Sequence, residues 1–287
     1  TLGRTFAHFA FGFTNIWLNR FDEALLHLKT SYVISERTGD HWTLAWSRQA
    51  LAEIAFESGK TGFQDAPFLE SLSMFEKIGE KRGSSRALNF LGNIALSQGQ
   101  YAAARSYFEK LLSNTERMGD VWGAAGGYSK LGQLAATLGE YEQAWRLLQR
   151  SLSMLQKTGD NRRIAYTMRE LGDLSAGLNK LEEAESFYRQ ALEIAMQIQT
   201  TPLAQDVLIS IAGLLNGRGQ PERAMELLKL VIQETISDQM TARRAQNMMD
   251  ILRDSLPSAQ FEQLRRLVGH TRLWDATANL LRSESML

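Results

Sequence analysis

The sequence predicts an all-α fold, a solenoid of antiparallel helix pairs, and three observations carry that expectation. Gly39, Gly79, Gly119 and Gly159 recur at forty-residue intervals, each followed by an acidic residue, Asp40, Glu80, Asp120 and Asp160. In the same register Gly12, Ala52, Gly92, Gly132, Gly172 and Ala212 form one column of small side chains, and Ala24, Ala104, Ala144, Ala184 and Ala224 form another. Only 4 Pro interrupt 287 residues, 44% of which are hydrophobic, so long helices are the natural filling between the glycines. A fixed period in this range marks stacked supersecondary units that share one continuous core.

Taken in order, residues 1–250 read as the array: a truncated amino-terminal helix followed by six full forty-residue units over 11–250. Thr1 falls inside a patterned segment, so a longer parent protein is expected. Each unit should hold two helices of about 17–18 residues, roughly 26 Å long. A small side chain on one helix lets its partner approach to packing distance. The bulky column Phe21, Tyr101, Tyr141 and Leu181 is expected to fill the space beside it. Gly99, Gly139, Gly219 and Asn179 fit the turn within a unit, where a left-handed residue ends the first helix. Gly119 and Gly159 end the second helix, and Asp120 and Asp160 cap the next. At position 199 the residue is Gln, which predicts a different device there, Thr201 as cap and Pro202 in the first turn. In the second unit Thr61 and Gln64 break the columns, and Asp65-Ala66-Pro67 predicts a late start and a shortened helix. Residues 251–287 are expected to be closing helices, Ser258 to Val268 and Thr271 to Arg282, that cap the array.

Composition narrows the function classes. With 32 basic and 32 acidic side chains the chain lacks the footprint of a general nucleic-acid binder or of a protein held to anionic lipid. No stretch approaches the roughly 18 apolar residues of a membrane span and no signal peptide opens the chain, which predicts a cytoplasmic protein. The absence of Cys removes disulfides, thiolate metal sites and Cys nucleophiles. Gly59-Lys60-Thr61 resembles the end of a phosphate-binding loop, but Ile54 stands where that motif requires Gly, so a turn is predicted. His8, His27, His41 and His270 are scattered without metal-ligand spacing. The Trp residues lack clustered Lys or Arg, which favours packing over base stacking. No catalytic constellation emerges, so the chain is not expected to be an enzyme or to carry a cofactor or metal.

One unit reads Leu91-Gly92-Asn93, then Gly99-Gln100-Tyr101, Ala104 and finally Gly119-Asp120. This resembles the tetratricopeptide repeat, which implies a right-handed solenoid. The forty-residue form is similar to repeats in eukaryotic polarity adaptors and in the carboxy-terminal sensor arms of bacterial signal-transduction ATPases with numerous domains (STAND ATPases). The latter include relatives of the maltose-regulon activator and of antibiotic-pathway regulators. The tail from Leu256-Pro257-Ser258-Ala259-Gln260-Phe261 to Thr271-Arg272-Leu273-Trp274-Asp275-Ala276 is similar to the closing helices of that bacterial group. The resemblance implies a ligand sensor for signal transduction or transcription regulation, with an ATPase domain upstream; a stand-alone scaffold that tethers proteins is the alternative.

The resemblance further implies that the first helix of each unit lines a concave groove. Counted from the Gly92 column, positions six before, three before and one after share that face. They are Trp46, Gln49 and Glu53; Arg86, Asn89 and Asn93; Gly126, Ser129 and Gln133; Tyr166, Arg169 and Asp173; and a less polar set, Asp206, Ile209 and Gly213. The expected partner is a protein or an extended peptide, acidic because Arg86 and Arg169 are suited to a carboxylate.

Overall fold

The computed structural model describes residues 2–18, 20–57, 64–234, 239–266 and 272–282, and among these the regular structure is entirely helical. Two compact halves, 1–138 and 139–287, each have their own packing. The first holds α1 (Leu2–Trp17), α2 (Phe21–Thr38), α3 (His41–Glu57), α4 (Ala66–Ile78), α5 (Lys81–Ser97), α6 (Tyr101–Arg117) and α7 (Val121–Thr137). The second holds α8 (Tyr141–Thr158), α9 (Asn161–Gly177), α10 (Leu181–Gln197), α11 (Thr201–Gly217), α12 (Pro221–Gln233), α13 (Gln239–Ser255), α14 (Ser258–Arg266) and α15 (Leu273–Arg282). Successive helices pack on one another from α1 to α7 in the first half and from α8 to α14 in the second, and alternate ones also touch: α1 on α3, α3 on α5 and α5 on α7 in the first, α9 on α11 and α11 on α13 in the second.

The small-residue columns do what their sterics require. Ala24, Ala104, Ala144, Ala184 and Ala224 are fully buried. A Cβ on Gly92 would lie 2.2 Å from a ring carbon of Phe108, one on Gly172 would lie 2.5 Å from Tyr188, and one on Gly12 would lie 2.6 Å from Leu28. The space beside the glycines is therefore filled by a column sixteen residues later, Leu28, Phe108 and Tyr188, to which Phe68, Leu148 and Leu228 also belong; each is at most 1% exposed. The column expected in that role sits at the helix start, where Tyr101 and Tyr141 are 39% and 43% exposed.

The turns follow the glycines. Gly99, Gly119, Gly139, Gly159 and Gly219 all have φ between 64° and 76°, the left-handed region that spares a residue without Cβ any steric cost. Position 199 departs from expectation: Gln199 adopts the same conformation at φ 52°, with its Nε2 donating to the Met196 carbonyl at 2.8 Å. Pro202 does lie in the first turn of α11, but Thr200 occupies the cap position, without a side-chain cap bond. Asp120 and Asp160 cap α7 and α9 by accepting from the backbone N–H of Gly123 at 3.0 Å and of Arg163 at 3.1 Å. The late start at Asp65 shortens α4 to 13 residues. α12 is equally short.

Beyond α12, α13 packs on α11 and α12, α14 on α12 and α13, and α15 on α10. Arg189 Nη1 on α10 donates to the Leu281 carbonyl at 2.8 Å. Leu273, Ala276 and Thr277 bury one face of α15.

Candidate functional site

In the amino-terminal half the predicted columns lie on α3, α5 and α7. Glu53 is 2% exposed, and a carboxylate so buried needs a charged partner. Arg86 supplies it with a two-pronged pair, Nε to Oε1 and Nη2 to Oε2, the latter at 2.6 Å. Gln49 donates to Glu53 at 2.9 Å and accepts from Ser71 on α4 at 2.6 Å. The same guanidinium stands 5.2 Å from the centre of the Phe13 ring, a favourable cation–π position. Trp46 is half-buried and packs against Phe9, Phe13, Trp42 and Phe75. Trp46, Gln49, Glu53 and Arg86 thus brace α1, α3, α4 and α5. Asn89 and Asn93 on α5 are half-buried, as is Gln133 on α7, which accepts from Lys130 at 3.5 Å; Ser129 is buried.

In the carboxy-terminal half a second ionic cluster joins α9, α10, α11 and α13. Arg169 Nη1 donates to Asp173 Oδ2 at 2.5 Å, and its Nη2 lies 3.8 Å from Glu170. Burial alone would lower the pKa of Arg169; the charges of Asp173, Glu170 and Asp206 more than offset this and raise it, so the guanidinium stays ionised. Tyr188 donates to Asp173 Oδ1 at 2.9 Å. Burial, and next the charge of Asp173, push the phenol above its ordinary value. From α13, Arg244 Nη1 donates to Asp206 Oδ1 at 2.6 Å and Nη2 donates to Ser210 at 2.9 Å. Thr241 donates to the same Asp206 oxygen at 3.2 Å. Both arginines expected to receive a ligand carboxylate, Arg86 and Arg169, are engaged by carboxylates of the chain itself. Tyr166, also on α9, is half-buried.

This cluster forms one wall of a cleft of about 480 Å³ between α9, α10, α11 and α13. Leu181, Ile209, Leu214, Met248 and Ile251 make its apolar surface. Asp173, Asn179, Arg218, Arg244 and Asn247 present the polar groups. Of the predicted set Asp173 lines it, together with Ile209 and Gly213 from the set that sequence ranked last. Arg218 and Arg244 were not anticipated. Arg244 belongs to a helix that starts 38 residues after the start of α11, so the forty-residue register did not align it with the earlier columns.

The structure also joins residues the sequence left scattered. His8 and His27 face each other across α1 and α2 with Nδ1 atoms 3.0 Å apart. Among the described residues no group of three His, Asp or Glu is placed to hold a metal ion. Trp42 and Trp122 are 39% and 50% exposed. Gly59-Lys60-Thr61 and His270 lie outside the described residues, as does the Trp17 side chain. Among the described residues no helix is long and apolar enough to cross a membrane.

Residues 124–197 match one tetratricopeptide repeat model and residues 85–116 match a second. No curated protein matches the chain by sequence. The fold is similar to aspartyl phosphate phosphatase F from Bacillus subtilis, with TM-score 0.71 at 12% identity over 94% of this chain and 72% of that one. A Rap protein complexed with Competence and Sporulation Factor gives 0.64 at 14% identity over 88% and 77%. A STAND protein with a tetratricopeptide repeat sensor from Pyrococcus horikoshii gives 0.58 at 20% identity, over 86% of this chain and 38% of that protein.

Proposed function

We propose that this chain, an array of tetratricopeptide repeats, is a binding module that takes a short extended segment of a partner protein into the cleft between α9, α11 and α13. The observation that carries this reading is the cleft. Its volume of about 480 Å³ falls in the range of roughly 300–1,000 Å³ typical of ligand sites, and it has the expected mixture of apolar walls with a few convergent polar groups. The amides of Asn179 and Asn247 each offer a donor and an acceptor, the pair that a peptide backbone needs. In the amino-terminal half, Asn89 and Asn93 on α5 are the residues we assign to a further contact with the partner, since Gln49, Glu53 and Arg86 are occupied by one another.

We further assign the module to a larger regulator, as the sensor arm that carries ligand occupancy to an attached activity. The likeness in fold to a STAND protein with a tetratricopeptide repeat sensor and to a Rap protein complexed with Competence and Sporulation Factor supports this. Such coupling requires that the ligand bind the two states of the parent protein with different affinity.

The test begins with a partner isolated by pull-down on the full chain and mapped to a synthetic peptide, then titrated against three variants. Gly213→Leu places bulk in the cleft, and because the nearest atom to a new Cβ is Met248 Sδ at 3.3 Å, at the far part of a flexible side chain, the helix should still form. Affinity is expected to fall by about tenfold or more, equivalent to about 1.4 kcal/mol, with a smaller loss for Asn89→Ala and none for Glu109→Ala on α6. Equal affinity in all three would place recognition elsewhere.

A further inference from the structure

Two departures from the repeat register meet at the cleft. Where α9 carries Asp173, the matching position of α11 is Gly213, and where the residue after α9 is Leu178, the residue after α11 is Arg218. The first change removes a carboxylate and its bulk from the wall. With Gly217 one turn further on, it leaves the backbone of α11 open to close approach by another chain. The second change places a guanidinium at the cleft.

Arg218 lines the cleft and is partly buried. Among the described residues its side chain has no hydrogen-bond or ion-pair partner. The other charges at the cleft are matched, since Asp173 accepts from Arg169 and Tyr188, and Arg244 is held by Asp206 and Ser210. A cation at the carboxy-terminal end of a helix is favoured by the helix dipole, but Leu138 and Leu178 occupy the same cap position after α7 and α9, so the cap does not require Arg. An unmatched, planar guanidinium beside an apolar wall is instead suited to a carboxylate, which such a group can hold with two parallel hydrogen bonds.

Resting on the peptide-binding reading above, we propose that the cleft selects a segment in which an acidic side chain stands next to a bulky apolar one. The carboxylate pairs with Arg218, the apolar side chain lies on Ile209, Leu214 and Met248, and the segment's backbone crosses α11 at Gly213 and Gly217. Attraction by a single Arg on a chain of zero formal net charge suits one acidic residue rather than a polyanion, whose binding draws on many cations.

The experiment uses the full chain and a display library of random hexapeptides, panned against the wild type, Arg218→Glu and Gly213→Leu. The wild type is expected to enrich sequences with Asp or Glu beside Leu, Ile, Met or Phe. Arg218→Glu should exchange the acidic position for Lys or Arg, and Gly213→Leu should enrich nothing. A synthetic peptide of the wild-type consensus should bind Arg218→Gln about tenfold more weakly, with the difference shrinking as salt is raised. A wild-type consensus without an acidic residue, or one unchanged by Arg218→Glu, overturns this proposal and leaves peptide binding intact. Enrichment that survives Gly213→Leu overturns it by placing recognition outside the cleft. No enrichment by the wild type overturns both this proposal and the reading on which it rests.

Discussion

Adding one methyl group to Gly92 tests the packing rule of the array directly. Its Cβ would lie 2.2, 2.6 and 2.8 Å from three carbons of the Phe108 ring, all well inside van der Waals contact, and Phe108 is 0% exposed, so the ring has no solvent into which to retreat. Overpacking of this kind costs about 1–3 kcal/mol. Against it stands the better helix propensity of Ala, which favours the variant by about 1 kcal/mol. The steric term should lie in the upper part of that range, about 2–3 kcal/mol, because three contacts are violated at once, for a net destabilisation of about 1–2 kcal/mol. The fold contains its own rescue: Ala212 stands opposite Leu228 in the corresponding pair, and both are fully buried. Phe108→Leu alone should cost about 1 kcal/mol through the space it leaves, and the double variant Gly92→Ala with Phe108→Leu should be more stable than the sum of the two predicts. Gly126→Ala, at an exposed helical position with no atom within 4 Å of the new Cβ, serves as the control and should gain up to about 1 kcal/mol. Urea unfolding followed by circular dichroism reads all four. A Gly92→Ala protein as stable as the control variant would refute the close approach of α5 to α6.

Two further outcomes follow from the carboxy-terminal cluster. Tyr188 has its pKa raised by burial and by Asp173, so its contribution to stability is complete below the unfolded value of about 10 and is lost as pH rises through the folded value. Phenolate absorbance should show one of the 7 Tyr ionising only with alkaline unfolding, a late step that Tyr188→Phe abolishes; seven phenols titrating together in the folded chain would contradict it. Arg244→Ala leaves Asp206, whose side chain is 12% exposed, without its guanidinium, at a cost of about 2–3 kcal/mol once the partial exposure of Arg244 is allowed for. Because neighbouring repeats open locally, amide exchange should quicken in α13 before α9, and unchanged protection of α13 would show that Arg244 does not dock it.

What the sequence made readable was whatever repeats in kind. A glycine in the left-handed region and a small residue at a helix contact are demanded by local sterics, so they recur and can be counted. The partners of those glycines recur in position but vary between Leu, Phe and Tyr, because the core asks for volume rather than identity, and the column was hidden by that mixture. Gln199 was misread for a related reason: the conformation is common to the turns, but a side-chain bond to Met196 accompanies it where glycine is missing. At the site, Arg169 and Asp173 stand four residues apart, the spacing at which helical side chains pair, so their engagement was open to inspection. Arg86 and Glu53 are 33 residues apart, and only the contact of α3 with α5 brings them together. Arg244 escaped notice because α12 is short and α13 begins early, which shifts the register there. Within the polar column on the first helices, Gln49, Glu53 and Arg86 satisfy one another, as do Arg169 and Asp173, so those members are weak ground for a binding footprint. A stronger sign is a charged side chain at the cleft that departs from its column and has no partner among the described residues, and Arg218 beside Gly213 meets both conditions.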